Sequence, residues 1–495
     1  MKSNDFMSYL TKFLKILVMF LSVYFILSFF IISLLRLTYP YDIEWMEGGM
    51  VEHVWRLING MPIYTEPSVE FIPFIYTPVY FYLSAFLSKI FGVGYFPLRL
   101  LSFISTLVIL LFIFLIVKNQ TGSKKIGIIS SGLFAACYQL SGFWYDLARV
   151  DSLFLAFFVV SFYFLLVKDD FSLFLSGIFA ALSFLTKQTA LIFIVPLILF
   201  SIYCYKWRSL IYILPFTLVS FFVFIYFNIS TGGWFYHWLI EIPAGHQWLY
   251  RKLLTFWIFD IFQPLFFAFA VSVIYLFYKI KNRELKQFYL YLSLLSGLFL
   301  CSWMSRVHLG GYDNVLMPAF LGISLLMGVG MQEFFKRLST ANELASPHIQ
   351  ILFLFALSAQ FFTLIYNPLP QIIIGKDSQY GHKLIQEIKR YDKVLIPDHP
   401  YISRYAGKES YSHYYVLKDF FESKSVYKDK LKREYLNLIE KKYFDVIILD
   451  SPEAYIEIAK FYELKGTIFE PNSYFKCKTG GHLTRPEFIF VPKEN

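Results

Sequence analysis

Long apolar runs separated by short, mostly basic intervals dominate the first three quarters of the chain. They lie near 13–37, 96–118, 126–143, 150–168, 171–186, 189–205, 209–228, 254–278, 287–304, 314–333 and 349–366. Each approaches the length of about 20 residues that an α-helix needs to cross the bilayer core. The pattern predicts a polytopic α-helical membrane domain over residues 1–366, with about eleven transmembrane helices.

The stretch from Tyr76 to Phe91 is apolar but short, opened by Thr77-Pro78 and closed by Lys89 and Gly92. Charge decides its reading. If it lies on the outer surface, the clusters at Lys118/Lys124/Lys125, Lys206/Arg208, Lys279/Lys281/Arg283/Lys286 and Lys336/Arg337 share one side with Lys2, Lys12 and Lys15, as cytoplasmic loops do. It is therefore expected as an interfacial helix, with the amino terminus cytoplasmic and a large extracytoplasmic loop over 38–95. Within that loop Met50, Val51, Val54, Leu57 and Ile58 fall at helical spacing around Glu52, His53 and Arg56, a second surface-lying helix that Asn59-Gly60 ends.

After residue 366 the composition becomes that of ordinary soluble protein, beyond the linker Asn367-Pro368-Leu369-Pro370. Helices near 380–390 and 427–442 and strands at Lys393–Pro397, Asp445–Leu449 and Phe488–Val491 predict a small α/β domain over 367–495. An odd number of spans places it outside.

Composition agrees: 57% of residues are hydrophobic and only 16% charged, with a mean hydropathy of +0.54, against roughly 25% charged in soluble domains. The formal charge of +10 sits in short interhelical clusters, which read as topology signals and leave no face for nucleic acid. Cys137, Cys204 and Cys301 lie within apolar runs and Cys477 stands alone in the tail, so no disulfide framework or zinc motif follows.

Candidate chemistry gathers on the outer side. Tyr41-Asp42-Ile43-Glu44-Trp45-Met46-Glu47-Gly48-Gly49 sets three carboxylates beside the membrane, where ionisable groups are costly and usually functional. A helix beginning near Ile43 would put Glu44 and Glu47 on one face, with Asp42 at its cap. Asp151 belongs to a second outer loop with Arg149 two positions earlier, as an ion pair or a catalytic group. Lys187 sits in a third, and Arg251, Arg306 and His308 in later ones. Transfer from a lipid-borne phosphate needs a carboxylate to deprotonate the acceptor and cations to stabilise the departing phosphate. Asp42, Glu44, Glu47 and Asp151 are the candidate carboxylates; Lys187, Arg149, Arg251, Arg306 and His308 are the candidate phosphate partners. His237, Glu241 and His246 fit no dedicated metal spacing.

The chain resembles the GT-C superfamily of membrane glycosyltransferases, in particular the family 39-like group related to protein mannosyltransferases and aminoarabinose transferases. The residues that carry the resemblance are the first-loop acidic motif, Asn59-Gly60-Met61-Pro62-Ile63-Tyr64, Tyr76-Thr77-Pro78, Arg99-Leu100, Asp146-Leu-Ala-Arg149-Val-Asp151, Thr186-Lys187-Gln188 and Tyr312-Asp313-Asn314. The resemblance implies inverting transfer of a sugar from a polyprenyl-phosphate donor to a lipid, polysaccharide or protein acceptor at the outer face of a bacterial plasma membrane. It leaves the base open among Asp42, Glu44 and Glu47, matches Asp151 to the second-loop acid and matches Lys187 to the residue meeting donor phosphate. No organic cofactor is implied. The Asp42/Glu44 pair would suit a hard divalent cation, but a monophosphate donor needs one less than a diphosphate does, and metal independence is expected. The rival readings are a transporter or flippase of lipid-linked sugar, which would place its charges at mid-membrane and show inverted repeats, and a structural membrane subunit whose tail recruits partners.

Overall fold

The structure, a computed structural model, describes residues 2–340, 346–453, 456–470, 479 and 485–494; Cys477 lies outside them. The membrane part contains α1 (Lys2–Leu37), α2 (Glu47–Ile58), α3 (Val79–Phe91), α4 (Tyr95–Thr121), α5 (Lys124–Ala136), α6 (Asp151–Val167), α7 (Asp170–Phe184), α8 (Leu191–Tyr205), α9 (Ser209–Ser230), α10 (Gln263–Lys281), α11 (Leu285–Val307), α12 (Met317–Thr340) and α13 (Ser346–Thr363). Every apolar run read from the sequence meets one of these helices. Among the described residues six stretches are long and apolar enough to cross a membrane, and α3, α6, α7 and 347–363 are apolar but shorter.

Local chemistry sets the helix ends. Gly122 closes α4 at a left-handed φ of 72°, and Ser123 then caps α5 by accepting from the Ile126 amide. Asp169 caps α7 through the Ser172 amide. Gly177 lets α7 meet α9 closely, since a Cβ there would collide with the Tyr212 carbonyl.

One expected span is corrected. The run 126–143 stops being helical at Ala136; residues 137–150 form a mostly buried loop that Gly142 and Phe143 turn with left-handed φ values of 67° and 59°. The run 254–278 falls within Lys252–Lys281, a stretch long and apolar enough to span, but an irregular one: Lys252–Thr255 passes into a π-helical stretch, Phe256–Phe262, and α10 kinks at the non-helical Leu265, next to Pro264.

The carboxy-terminal segment contains α14 (Gly375–Ile388), β1 (Val394–Leu395), α15 (Pro400–Tyr405), α16 (Tyr414–Glu422), α17 (Lys428–Glu440), β2 (Val446–Leu449), β3 (Tyr462–Thr467) and β4 (Phe488–Pro492). The sheet order is β1-β2-β4-β3, parallel between β1 and β2 and antiparallel elsewhere. Sequence reasoning missed α15, α16 and β3. The first two are short helices whose pattern is too brief for periodicity to reveal.

This segment packs on the loop over 38–95. Arg404 of α15 grips Glu52 of α2 with bonds of 2.6 to 3.0 Å, and His413 Nε2 lies 2.9 Å from the Trp45 carbonyl oxygen. The expectation that α2 lies on the surface is therefore corrected: Glu47 to Val54 are buried. Gly49 is needed there, because a Cβ would run into the Phe74 ring.

Candidate active site

The first-loop motif is not a helix start at Ile43, as the sequence suggested. α2 begins at Glu47, Met46 occupies the cap position, and Asp42 caps nothing. Glu47 instead turns back and accepts from the Ile43 amide at 2.8 Å and the Ala148 amide at 2.8 Å. Arg99 forks onto it at 2.9 and 2.6 Å, and also donates to the Tyr39 and Tyr41 carbonyls. Burial opposes ionisation of Glu47, but Arg99 and the amides overcome it and hold its pKa below the ordinary value. One carboxylate thus ties the first loop to α4 and to the loop before α6.

Glu44 is fully buried. Its Oε2 lies 3.2 Å from Arg149 Nη1, and its Oε1 has no hydrogen-bond partner among the described residues. Burial pushes its pKa up to about 7, with Arg149 opposing and Glu47 reinforcing the rise. A carboxylate at that value is poised to accept a proton near neutral pH. Asp42 faces elsewhere: its Oδ2 meets His399 Nδ1 at 2.8 Å, and His399 Nε2 reaches Asp450 at 3.3 Å.

Asp151, the first residue of α6, does not pair with Arg149. It accepts from Lys187 Nζ at 2.7 Å and Asn314 Nδ2 at 3.0 Å, and Asn314 belongs to the Tyr312-Asp313-Asn314 motif. Arg149 donates instead to Glu44 and, at 2.9 Å, to the Tyr76 hydroxyl, while its Nε has no partner among the described residues.

Arg149 and Lys187 line a cavity of about 710 Å³ whose other walls include Trp45, Tyr76, Trp144 and Tyr312 from the membrane part, and Tyr415 and Asp419 from α16. His308 lines it too, packed at 4.7 Å against Trp248. Arg306 is spoken for by Asp260 at 2.9 Å and Asp313 at 3.0 Å. Arg251 is exposed and is absent from the cavity wall and from its ion pairs, so the structure does not bring it to the site; Glu44 and Asp151 are not on the wall either, but lie behind it, paired with the wall residues Arg149 and Lys187.

Sequence reasoning had not assigned roles to Arg99, Asn314, His399 or Asp419. Arg99 and Asn314 lay inside quoted motifs. His399 and Asp419 come from a segment that only folding brings to the loop, and no local signal marks them. Asp42 and Glu44 do not fit a shared divalent cation: a histidine nitrogen holds the first and a guanidinium the second, so the two carboxylates do not converge. No group of three or more His, Cys, Asp or Glu suited to a metal occurs among the described residues.

The family described as Dolichyl-phosphate-mannose-protein mannosyltransferase matches residues 75–230. No curated protein matches the sequence. Among solved structures, ArnT from Cupriavidus metallidurans bound to undecaprenyl phosphate superposes with a TM-score of 0.60 at 10% identity, covering 95% of this chain and 97% of that one. The apo form of the same protein gives 0.60 at 11% identity over 95% and 97%. The Archaeoglobus fulgidus oligosaccharyltransferase with Zn and sulfate gives 0.46 at 11% identity, over 85% of this chain and 67% of that one. The fold is that of ArnT, and the expected likeness to GT-C membrane glycosyltransferases is borne out.

Proposed function

We propose that this GT-C-type chain is an inverting glycosyltransferase that moves a sugar from a polyprenyl-phosphate donor to an acceptor hydroxyl at the outer face of a bacterial plasma membrane. In this reading residues 1–366 are the transmembrane catalytic domain and 367–495 an extracytoplasmic domain. The observation that carries it is the pair of buried cations, Arg149 and Lys187, on the wall of one cavity. Anion recognition uses such groups: each keeps donor capacity toward a ligand while its charge is balanced by Glu44 or Asp151.

The acceptor oxygen attacks the anomeric carbon, and its proton passes to Glu44, which lies off the cavity wall behind Arg149 at 3.2 Å. The bond from that carbon to the phosphate oxygen breaks, and the polyprenyl phosphate leaves with the electron pair toward Lys187 and Arg149. Attack opposite the leaving group inverts the anomeric centre. Asp151 and Asn314 orient Lys187, and Glu47 with Arg99 holds the loop that carries Glu44. A cavity walled by aromatic rings keeps the developing charges away from bulk water, where the two cations act most strongly.

The test is release of polyprenyl phosphate from a panel of polyprenyl-phosphate sugars by the purified protein, beside Asp42→Asn, Glu44→Gln, Glu47→Gln and Asp151→Asn. Release by wild type that Glu44→Gln abolishes in a folded protein is the expected result. No release from any donor by a protein that still binds the lipid, with an extract of candidate acceptors supplied, would favour transport of lipid-linked sugar.

A further inference from the structure

The cavity is electrically lopsided. Arg149 and Lys187 line it from the membrane part, whereas α16 contributes the carboxylates Asp419 and Glu422 and the cation Lys418. α16 is anchored: Leu417 and Phe420 are buried in the carboxy-terminal core, and Phe420 packs 5.5 Å from Trp238. With that face committed, residues 415, 419 and 422, three and four apart, share the face toward the cavity. Tyr415 packs against Trp45 with ring centroids 4.2 Å apart, and Trp45 contacts Tyr312 at 5.6 Å.

Asp419 has no hydrogen bond or ion pair among the described residues, unlike Asp42, Glu44, Glu47, Glu52 and Asp151. Burial, reinforced by Glu422 and opposed by Lys418, pushes its pKa up to about 6. A half-buried carboxylate without a partner on a cavity wall is a cost that a ligand donating a hydrogen bond would remove.

We propose that α16 forms the acceptor subsite, in which Asp419 accepts a hydrogen bond from a sugar acceptor stacked among Trp45, Tyr312 and Tyr415, admitting neutral or ammonium-bearing sugars and rejecting anionic ones. The proposal rests on the transfer reading and names the acceptor class for it. Aromatic faces suit the apolar face of a pyranose, and a carboxylate on a different element from the two cations separates the acceptor from the anionic donor. With Arg149 and Lys187 taken up by the donor phosphate, a phosphorylated or carboxylated acceptor would meet the like charge of Asp419, offset only by the exposed Lys418.

The experiment titrates nanodisc-held protein, loaded with polyprenyl phosphate so that Arg149 and Lys187 are occupied, with methyl glucoside, methyl glucosaminide and methyl glucuronide by saturation-transfer NMR, comparing wild type, Asp419→Asn and Asp419→Glu. Wild type is expected to bind the first two and to bind the glucuronide roughly tenfold more weakly, the size of one charge-assisted hydrogen bond. Asp419→Asn should weaken the glucosaminide by a similar factor and close the gap; Asp419→Glu should keep it. Octyl glucoside, below its micellar concentration, in place of methyl glucoside separates a membrane-borne acceptor from a soluble glycan: tighter binding of the octyl form marks the first, equal binding the second. Equal affinity of wild type for all three methyl glycosides, no binding of any, or an unchanged ranking in Asp419→Asn overturns the proposal. In parallel, wild type is assayed for polyprenyl phosphate release; charge-ranked binding without release would refute the transfer reading while leaving the sugar subsite in place.

Discussion

Glu44→Gln and Glu47→Gln remove one charge each from carboxylates three residues apart, yet their effects on stability should have opposite signs. Glu47 and Arg99 are both buried, with side chains 0% and 1% exposed, and breaking such a pair strands an uncompensated guanidinium at a cost of about 3–5 kcal/mol. A glutamine amide would also turn N–H groups toward the Ile43 or Ala148 amide. Glu44 is the reverse case. Its pKa rises from the ordinary 4.5 to about 7 on folding, and at roughly 1.4 kcal/mol per pH unit of separation its ionisation costs on the order of 3 kcal/mol of stability. For a raised pKa the stabilising state is the protonated one. That stability is fully present below the unfolded value near 4.5 and is lost as pH climbs through about 7. Glutamine mimics the protonated form, so Glu44→Gln should match wild type at pH 5 and exceed it at pH 8.5. The assay is equilibrium unfolding by SDS titration of the detergent-solubilised protein at both pH values, with polyprenyl phosphate release measured in the same samples. Glu47→Gln should lose stability and activity together; Glu44→Gln should lose activity alone. Equal destabilisation by both, or a destabilised Glu44→Gln at pH 8.5, would refute the division of labour between the two acids.

Lys187→Met should lower release by about a hundred- to a thousandfold, as removal of a group stabilising the leaving charge does; residual activity near wild type would remove Lys187 from the phosphate. Arg251→Ala should change turnover less than about twofold, because Arg251 is exposed and away from the cavity wall; a deep loss in the same release assay would place it back in the site. Excess EDTA should leave turnover unchanged, since His399 and Arg149 already hold the carboxylates a cation would need; inhibition that added Mg²⁺ or Mn²⁺ reverses would contradict this.

The membrane helices were legible because desolvation leaves a run of apolar residues few alternatives, and all the expected runs meet helices. Their ends were less so: the run 126–143 reads as one apolar stretch, but its helix ends at Ala136 and Gly142 and Phe143 turn the rest as a loop. The site residues Glu44, Arg149, Asp151 and Lys187 were read from loops near apolar runs, where a charge is conspicuous. Their pairing was not. Arg149 and Asp151 are two positions apart and choose Glu44 and Lys187 instead, because their loop turns between them into α6. Glu47 looked like its neighbours in sequence and proves to be the most fully bonded of the three first-loop acids, a distinction that depends on Arg99 and Ala148 arriving from elsewhere. His399 and Asp419 carried no local signal.

The grip of the carboxy-terminal segment on the first loop also orders events during synthesis. Asp42, Glu52 and Trp45 meet His399, Arg404 and His413 across 357, 352 and 368 residues of chain. On the ribosome, the carboxylate loop therefore emerges long before anything that clamps it, and contacts that distant are the last to form. A nascent or prematurely ended chain would carry the cations and carboxylates of the membrane part without the α16 wall. The cavity beside Arg149 and Lys187 gains its α16 wall only once the final hundred or so residues have folded onto the first loop.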